Sequence, residues 1–167
     1  MSAAFRIEAL SASHNRAVFD CGVDALDRYF KEQAAQDVRR RIATCFAAVE
    51  IATGTIAGYY TLAATGVALD SLAPVLAKKL PRYPVVPSAL IGRLAITSTA
   101  QRQGLGAALL ADAIARIIAS DIGIFAILVD AKNEQAKTFY KHHGFEALPE
   151  HPMRLCLPAA TAMKFIK

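Results

Sequence analysis

The chain has 167 residues, a formal net charge of +5, and 54% apolar against 20% charged residues. This length predicts one domain over residues 1–167, and the apolar content excludes an intrinsically disordered chain. No apolar stretch approaches the roughly 18 to 20 residues that a membrane span needs. The first residues lack the apolar segment of a secretory signal, so we expect a cytoplasmic protein without a membrane partner.

The cysteines do not predict a disulfide framework or a metal site. There are three of them, Cys21, Cys45 and Cys156, and none has a C-x-x-C spacing. We expect reduced, buried thiols that behave as small apolar groups. His142 and His143 are adjacent on a predicted helix, where their side chains diverge by about 100 degrees. We therefore predict no metal.

The first half of the chain predicts a strand, a helix and a hairpin. A strand is expected over residues 4–10, and an amphipathic helix over residues 24–38. One face of that helix carries Leu26, Tyr29, Phe30, Ala34 and Val38. Two β-branched and aromatic runs, residues 42–52 and 55–65, follow as a hairpin turning at Thr53-Gly54.

The second half alternates strands and helices. Residues 70–80 predict a short helix, and the prolines at 81, 84 and 87 predict an irregular loop. The remaining predicted elements, in order, are a strand over 89–97, a helix over 105–120, a strand over 124–131, a helix over 133–143 and two short strands over 155–157 and 161–165. This alternation predicts an α/β or α+β fold with a strand-helix-strand unit over residues 89–131.

A glycine-rich turn separates the 89–97 strand from the helix that follows it. Its sequence is Gln101-Arg102-Gln103-Gly104-Leu105-Gly106. Glycines let backbone N–H groups approach a ligand closely, and the first helical turn adds unpaired N–H groups and a positive dipole end. The pattern predicts a cradle for a pyrophosphate, with Arg102 as an added cation.

Two other nucleotide sites do not fit this turn. A dinucleotide fingerprint needs a third glycine where Leu109 stands, and a P-loop needs a Gly-Lys-Ser or Gly-Lys-Thr sequence that is absent. The hexapeptide alone is also compatible with a glycine-rich helix start that binds no ligand, and the sequence of the turn does not decide between the two interpretations.

The helix after the buried strand ends in Phe139-Tyr140-x-x-x-Gly144-Phe145. A tyrosine there can act as a general acid, because its ordinary pKa is near 10. The alternative is a helix face packed into the core. We expect Phe139 to face the core, which would turn the Tyr140 hydroxyl toward a gap between the two strands of the strand-helix-strand unit.

Together the two motifs resemble the GNAT N-acetyltransferases. The family's Gln/Arg-x-x-Gly-x-Gly/Ala motif is matched by Gln101, Gly104 and Gly106, and its later helix by Asn133 and the Phe139–Phe145 segment. This resemblance covers roughly residues 42 to 166. It implies a mixed, mostly antiparallel central sheet that is splayed at its centre and flanked by helices.

A narrower resemblance extends to the N-terminus. The acetyltransferase toxins of bacterial toxin–antitoxin pairs are similar over His14-Asn15-Arg16, Phe19-Asp20-Cys21-Gly22, Leu26-Asp27-x-Tyr29-Phe30, Gly58-Tyr59-Tyr60-Thr61-Leu62 and Ile91-Gly92-Arg93-Leu94-Ala95-Ile96. Such toxins acetylate the α-amino group of aminoacyl-tRNA and stop translation. The resemblance implies a ribbon-helix-helix antitoxin as partner and a homodimer.

The resemblance also implies roles for individual residues. Acetyl-CoA would be the co-substrate, and Tyr140 the acid that protonates its departing thiolate. Asn133 would contact the pantetheine arm from one side, and backbone groups of strand 89–97 would pair with it from the other. The residues implied to bind acetyl-CoA are Leu94, Ala95, Ile96, Gln101, Arg102, Gln103, Gly104, Leu105, Gly106, Ala107 and Asn133.

A polyanionic acceptor would bind to basic side chains. The candidates are Arg39, Arg40, Arg41, Lys78, Lys79, Arg82 and Arg93. Most of these are equally well read as solvated surface charges. Arg93 differs because it lies in an apolar strand, where an unpaired charge is costly, so we expect it to face a cleft or an acid and to belong to the acceptor site.

Two other functions remain open from the sequence. A small-molecule amine or protein N-acetyltransferase would share the fold but would not need a basic acceptor surface. A non-catalytic co-repressor would have to act through its antitoxin, because the chain contains no recognisable helix-turn-helix.

Overall fold

The computed structural model describes residues 4–165. It contains a seven-stranded sheet in the order β1-β2-β3-β4-β5-β7-β6. Only β4 and β5 are paired in parallel among the pairs with a defined register. The strands of this sheet are β1 (Phe5–Ala9), β2 (Thr44–Glu50), β3 (Ile56–Ala68), β4 (Val85–Ile96), β5 (Ala126–Asp130), β6 (Glu146–Leu148) and β7 (His151–Pro158).

The helices differ widely in length. Short 3-10 turns cover Leu69–Ser71 and Ser98–Ala100. The α-helices are α1 (Asp24–Arg28), α2 (Ala34–Arg39), α3 (Pro74–Ala77), α4 (Leu105–Ala119), α5 (Glu134–His142) and α6 (Ala159–Ala162). None of the helices within residues 4–165 is long and apolar enough to cross a membrane. The predicted mixed α/β fold with a mostly antiparallel sheet and flanking helices is confirmed.

The chain divides into two compact units, the first made of Met1–Ala63 and Gly92–Ala113. Its core is aromatic: the Phe30 and Tyr59 rings stack with centroids 4.3 Å apart, and Phe19 meets both rings edge-on. The Tyr59 hydroxyl donates to the Leu26 carbonyl at 2.7 Å, which satisfies the polar end of a buried side chain. This cluster ties the N-terminal helical segment to β2 and β3.

The second unit comprises Ala64–Ile91 and Ile114–Lys167. Four consecutive β5 residues, from Ala126 to Val129, are fully buried. This agrees with the two-faced apolar pattern expected of a strand in a sheet centre. β5 pairs in parallel with β4 from Ser88↔Ala126 to Ile91↔Val129, and antiparallel with β7.

The predicted amphipathic helix is confirmed, with one irregularity. Between α1 and α2, residues Tyr29–Gln33 form a π-helical turn without a break in the chain. A regular α-helix turns consecutive side chains about 100 degrees apart, yet Tyr29 and Phe30 are both buried. The wider turn and the aromatic cluster together accommodate both rings on the inner face.

Three sequence predictions were wrong. Residues 161–165 do not form a strand, because the Ala-rich stretch after Pro158 forms α6, as its helix propensity favours. β4 already begins at Val85, although a loop was expected there. Its Pro87 has no N–H to donate, but its carbonyl accepts from the Phe125 N–H at 2.9 Å. The helix expected over 70–80 is reduced to a 3-10 turn and the four residues of α3.

Gly58 on β3 provides a stability test. A Cβ at this position would lie 2.9 Å from the Ala95 carbonyl oxygen and 3.0 Å from a Leu109 methyl group. Because a backbone carbonyl cannot move aside cheaply, we expect Gly58→Ala to lower the free energy of unfolding by about 1–3 kcal/mol. Chemical denaturation with urea measures this change.

Gly123 is the matched control. A Cβ there would meet nothing within 4 Å. Gly123→Ala should leave the free energy of unfolding unchanged or raise it by about 0.4–1 kcal/mol, because alanine lowers the conformational entropy of the unfolded chain. Equal stability of the two variants would contradict the close approach at Gly58.

Candidate active site

The glycine turn has the backbone geometry of an anion cradle. Arg102 and Gly104 have φ angles of 65° and 81°, in the left-handed region. Within the described residues, none of the backbone N–H groups from Gln101 to Ala107 donates a hydrogen bond. Turns that leave successive N–H groups unpaired at a helix start form concave anion sites.

The space beside the turn is open. A Cβ placed on Gly104 would meet no atom within 4 Å, and the residue is exposed. Leu105 and Leu109 are buried and anchor the first turn of α4 on its other side. A ligand can therefore approach the backbone at Gly104, and any side chain at this position would occupy part of that space.

The Gln101 side chain holds the turn in place. Its amide nitrogen donates to the Cys21 carbonyl at 3.0 Å and to the Ile96 carbonyl at 2.9 Å. Nearby, the Asp20 carbonyl accepts from the Ser98 N–H at 2.8 Å. The N-terminal Asp-Cys-Gly motif and the glycine turn thus support each other. Both N–H bonds of the Gln101 side-chain amide are used within the protein, while its side-chain oxygen and its backbone N–H stay available, so its contact with a cofactor stays a prediction.

The end of β4 carries the segment predicted to pair with pantetheine. Ala95 is buried in the aromatic cluster, while Leu94 and Ile96 are half-buried. The registered pairing of β4 with β5 ends at Ile91↔Val129, and β4 continues from there to Ile96. The Ile96 carbonyl already accepts from Gln101, which leaves its second lone pair for a ligand.

Tyr140 lies on α5 in the second unit. It is buried, whereas Phe139, which was expected to face the core, is half-buried, and the direction of the Tyr140 hydroxyl stays a prediction. Tyr140 packs edge-on against Phe145, with ring centroids 5.7 Å apart. No residue in the described part of the chain forms a hydrogen bond with its hydroxyl.

The surroundings of Tyr140 keep its hydroxyl protonated. Burial, together with the negative charge of Asp130, raises the pKa of Tyr140 to about 12. Both effects disfavour the phenolate. At neutral pH the group is a proton donor and not a base.

Asp130 was not identified from the sequence. It ends β5 and forms two hydrogen bonds with Arg154 on β7, at 2.7 and 2.9 Å. An open depression of about 490 Å³ is lined by Asp130, Ala131, Glu150, His151, Pro152, Met153 and Arg154. Only the register of β5 against β7 reveals this pair, and a single sequence does not give that register.

Asn133 has a structural role besides the one predicted. It is the N-cap of α5, where its side-chain oxygen accepts from the Ala136 N–H at 2.9 Å. Its side-chain NH₂ group remains able to donate to a ligand. Contact with pantetheine stays a prediction for that group.

The predicted basic residues fall into two environments. Six of them are exposed, namely Arg39, Arg40, Arg41, Lys78, Lys79 and Arg82. Arg93 is half-buried, and its guanidinium carbon lies 3.6 Å from the centroid of the Tyr29 ring. The sequence did not predict this aromatic face, and the expected acid or cleft beside Arg93 stays a prediction.

The thiols are unsuited to nucleophilic chemistry. All three cysteines are buried and none forms a disulfide bond, as predicted. Burial raises the pKa of Cys45 to about 12 and that of Cys156 to about 11. The thiolates of these two residues are therefore scarce at neutral pH. Within residues 4–165, no cluster of three or more metal-binding side chains occurs.

Comparisons with known proteins agree with this geometry. Residues 85–155 match the family model described as an acetyltransferase (GNAT) domain. The "tRNA-acetylating toxin" of Mycobacterium tuberculosis is 36% identical over 141 residues, which are 83% of this chain and 82% of that protein. A protein of Sinorhizobium fredii named "Probable toxin TacT" is 29% identical over 157 residues, which are 89% of this chain and 87% of that protein.

Solved structures match nearly the whole chain. A tyrosine-to-phenylalanine mutant of KacT has a TM-score of 0.91 and 31% identity, covering 97% of this chain and 99% of that one. AtaT complexed with acetyl-methionyl-tRNAfMet has a TM-score of 0.90 and 31% identity, covering 98% and 100%. A tyrosine-to-phenylalanine mutant of AtaT, bound to the C-terminus of the antitoxin AtaR and acetyl-CoA, has a TM-score of 0.82 and 29% identity, covering 98% and 99%.

The cap on α5 predicts the stability of Asn133 variants. Asn133→Ala leaves the Ala136 N–H without its partner, so the free energy of unfolding should fall by about 0.5–2 kcal/mol. Asn133→Asp keeps the capping oxygen and should retain the stability of the wild type in the same denaturation experiment. If both variants lost the same free energy of unfolding, the side chain of Asn133 would stabilise the protein by something other than its capping hydrogen bond.

Proposed function

This chain belongs to the GNAT acetyltransferase family, in the group of toxins that includes the relatives above, and we propose that it acetylates the α-amino group of aminoacyl-tRNA and thereby blocks translation. The observation that carries this proposal is the glycine turn, with its free N–H groups and its open face at Gly104. The likeness to AtaT complexed with acetyl-methionyl-tRNA supports the choice of acceptor.

The residues of the turn suit acetyl-CoA as the co-substrate. Arg102, Gln103, Gly104, Leu105, Gly106 and Ala107 would hold the pyrophosphate through their backbone N–H groups, with the Arg102 side chain as an added cation. Backbone groups of Leu94, Ala95 and Ile96, and the NH₂ group of Asn133, would hold the pantetheine arm. The acetyl-CoA in the AtaT structure supports acetyl-CoA as the co-substrate.

The acceptor amine needs little activation by the protein. An ordinary α-amino group has a pKa near 7.7–8.0. Esterification of the carboxyl group to tRNA lowers this pKa further, because it withdraws electrons and removes a negative charge. A large fraction of the amine is then neutral at cytoplasmic pH and can attack the thioester carbon directly. A new C–N bond forms, the C–S bond breaks, and the amine nitrogen loses a proton.

Tyr140 would supply the proton that the departing sulfur needs. Its pKa of about 12 keeps it protonated at neutral pH. An ordinary thiol has a pKa near 8.5, so complete transfer from Tyr140 to a free thiolate would be unfavourable. The hydroxyl therefore donates a hydrogen bond to the sulfur while the C–S bond breaks. Its proton passes to the sulfur as the proton released by the amine nitrogen returns to Tyr140, so the net transfer is from the amine to the thiolate.

The charge of the chain suits a polyanionic acceptor. The net charge is +5, and the six exposed basic residues carry no ion pair within residues 4–165. Neutralising tRNA phosphates releases counterions, which is the main source of affinity for nucleic acids. Arg40, Arg41, Lys78, Lys79, Arg82 and Arg93 would make these contacts.

A toxin of this kind needs a partner that inhibits it in the growing cell. We expect a ribbon-helix-helix antitoxin, a homodimeric toxin and a cytoplasmic location, where aminoacyl-tRNA is found. The AtaT structure with the C-terminus of AtaR supports the antitoxin. The positive charge of the chain favours an acidic segment in that partner.

The decisive experiment incubates the purified protein with labelled acetyl-CoA and aminoacyl-tRNA. We expect acetylated aminoacyl-tRNA as the product. The affinity for tRNA should fall by about 10³–10⁵ as salt rises from 50 to 200 mM when six to ten phosphates are contacted, and the rate at subsaturating tRNA should fall with it. Free amino acids and small amines are the comparison. Equal rates with small amines and a flat salt response would favour a small-molecule acetyltransferase instead.

Tyr140→Phe tests the proposed acid. The change removes one oxygen and keeps the ring contact with Phe145, so the melting temperature and acetyl-CoA affinity should survive. Loss of a positioned acid should lower kcat by about 10² to 10⁴. Turnover and melting temperature are measured on the same preparation. A wild-type kcat in the folded variant would remove Tyr140 from the mechanism.

Gly104→Ala tests the cradle, with Gly54→Ala as its matched control. Both glycines have a positive φ and open space at Cβ, so each variant should lose about 1–3 kcal/mol of stability through backbone strain. Gly104→Ala should in addition weaken acetyl-CoA binding in calorimetry, because its methyl group lies where the pyrophosphate would approach. Equal acetyl-CoA affinity in the two variants would refute this position for the cradle.

A further inference from the structure

The Arg93 guanidinium is fixed on one face and unpaired at its edges. One face lies over the Tyr29 ring, with the guanidinium carbon 3.6 Å from the centroid. Among the described residues, none accepts a hydrogen bond from Arg93 or lies within ion-pair distance of it. Cation–π contact offsets part of the cost of half-burying this charge. Its N–H groups are therefore left to bind something outside this part of the chain.

Tyr29 is itself held by a carboxylate. Its hydroxyl donates to Asp37 Oδ2 at 2.8 Å, and the Gln33 amide donates to Asp37 Oδ1 at 3.0 Å. The Tyr29 ring also stacks on Tyr59, with centroids 6.4 Å apart. Hydrogen bonds from Gln33 and Tyr29, and then the charge of Arg93, lower the pKa of Asp37. The carboxylate is thus ionised at neutral pH, and Tyr29 is held at both ends.

The π-helical turn makes this arrangement possible. In a regular α-helix, residues seven apart lie almost in line and residues eight apart are about 80 degrees off. Tyr29 and Asp37 are eight apart, and the Tyr29–Gln33 turn accommodates one extra residue between them. The irregular turn therefore brings Asp37 back into line with Tyr29.

We propose that Tyr29 and Asp37 are positioning residues that hold the Arg93 guanidinium as a fork for a phosphate of the acceptor strand. The proposal rests on the function proposed above. A planar guanidinium with free edges suits two-point recognition of phosphate, and stacking removes the rotamer freedom that binding would otherwise cost. Arg39 ends the helical segment that carries Tyr29 and Asp37, and Arg40 and Arg41 follow it, which adds positive charge to the same unit.

The test compares five variants by steady-state kinetics with aminoacyl-tRNA. Tyr29→Leu removes the aromatic face and should raise the acceptor KM by about 3- to 30-fold, within the range of a desolvated cation–π contact, with the acetyl-CoA KM unchanged. Tyr29→Phe keeps the face and should change the acceptor KM less than Tyr29→Leu does. Tyr59→Phe also removes one hydroxyl from the same aromatic stack and should leave the acceptor KM unchanged.

The last two variants, Arg93→Ala and the double variant Arg93→Ala/Tyr29→Leu, separate positioning from folding. In an Arg93→Ala background, Tyr29→Leu should have no further effect, because its action passes through Arg93. Additive effects of the two changes, or an unchanged KM in Tyr29→Leu, would overturn the proposal. Melting temperatures show whether each variant is folded. If Tyr29→Leu does not fold, the same comparison with Arg93→Ala is made with Tyr29→Phe.

A binding measurement distinguishes this proposal from the function on which it rests. If the wild-type protein does not acetylate aminoacyl-tRNA, the function fails. Uncharged tRNA is then titrated by fluorescence anisotropy across a salt series. Losing one phosphate contact lowers the slope of log K against log salt by about 0.7–0.9. Equal losses in Arg93→Ala and Tyr29→Leu support the positioning role, and a wild-type slope in Tyr29→Leu refutes it.

Discussion

The candidate active site depends on one side-chain amide, that of Gln101. Its two hydrogen bonds attach the glycine turn to the Cys21 carbonyl and to the end of β4 at Ile96. With both anchors in place, the turn can hold Arg102 and Gly104 at positive φ and leave a row of N–H groups unpaired. Strain of this kind persists only where the surroundings enforce it. A single polar side chain thus anchors the turn that is proposed to bind the pyrophosphate.

The features that the sequence predicts well are local. The glycine turn, α4 and the buried β5 each follow from a short pattern of residue types, and the structure has them within a few residues of the predicted bounds. The inner face of the first helical segment is also local, since it depends on spacing alone. Short apolar stretches were harder: residues 161–165 were predicted as a strand, whereas the structure has the helix α6 over Ala159–Ala162.

Contacts between distant parts of the chain could not be read from the sequence. Arg93 was expected to need a partner, but the pattern does not reveal that the partner is the ring of Tyr29. Asp130 and Arg154 meet only through the register of β5 and β7. The burial of Tyr140 relative to Phe139 depends on how α5 is rotated against β6 and β7. A sequence motif shows which residue types stand at which spacing, but the direction of each side chain depends on how the elements pack.

The π-helical turn has a consequence for how this segment can change in evolution. Its wider turn keeps Tyr29 and Asp37 aligned although they are eight residues apart, while the identity of most side chains in the turn matters little to that alignment. Without the extra residue the two would be seven apart, which a regular α-helix also holds almost in line, and an exchange of Lys31 or Glu32, both exposed, would leave the alignment unchanged. Relatives that keep this arrangement should therefore vary in sequence here, and those that are one residue shorter should have a regular α-helix in place of the π-helical turn.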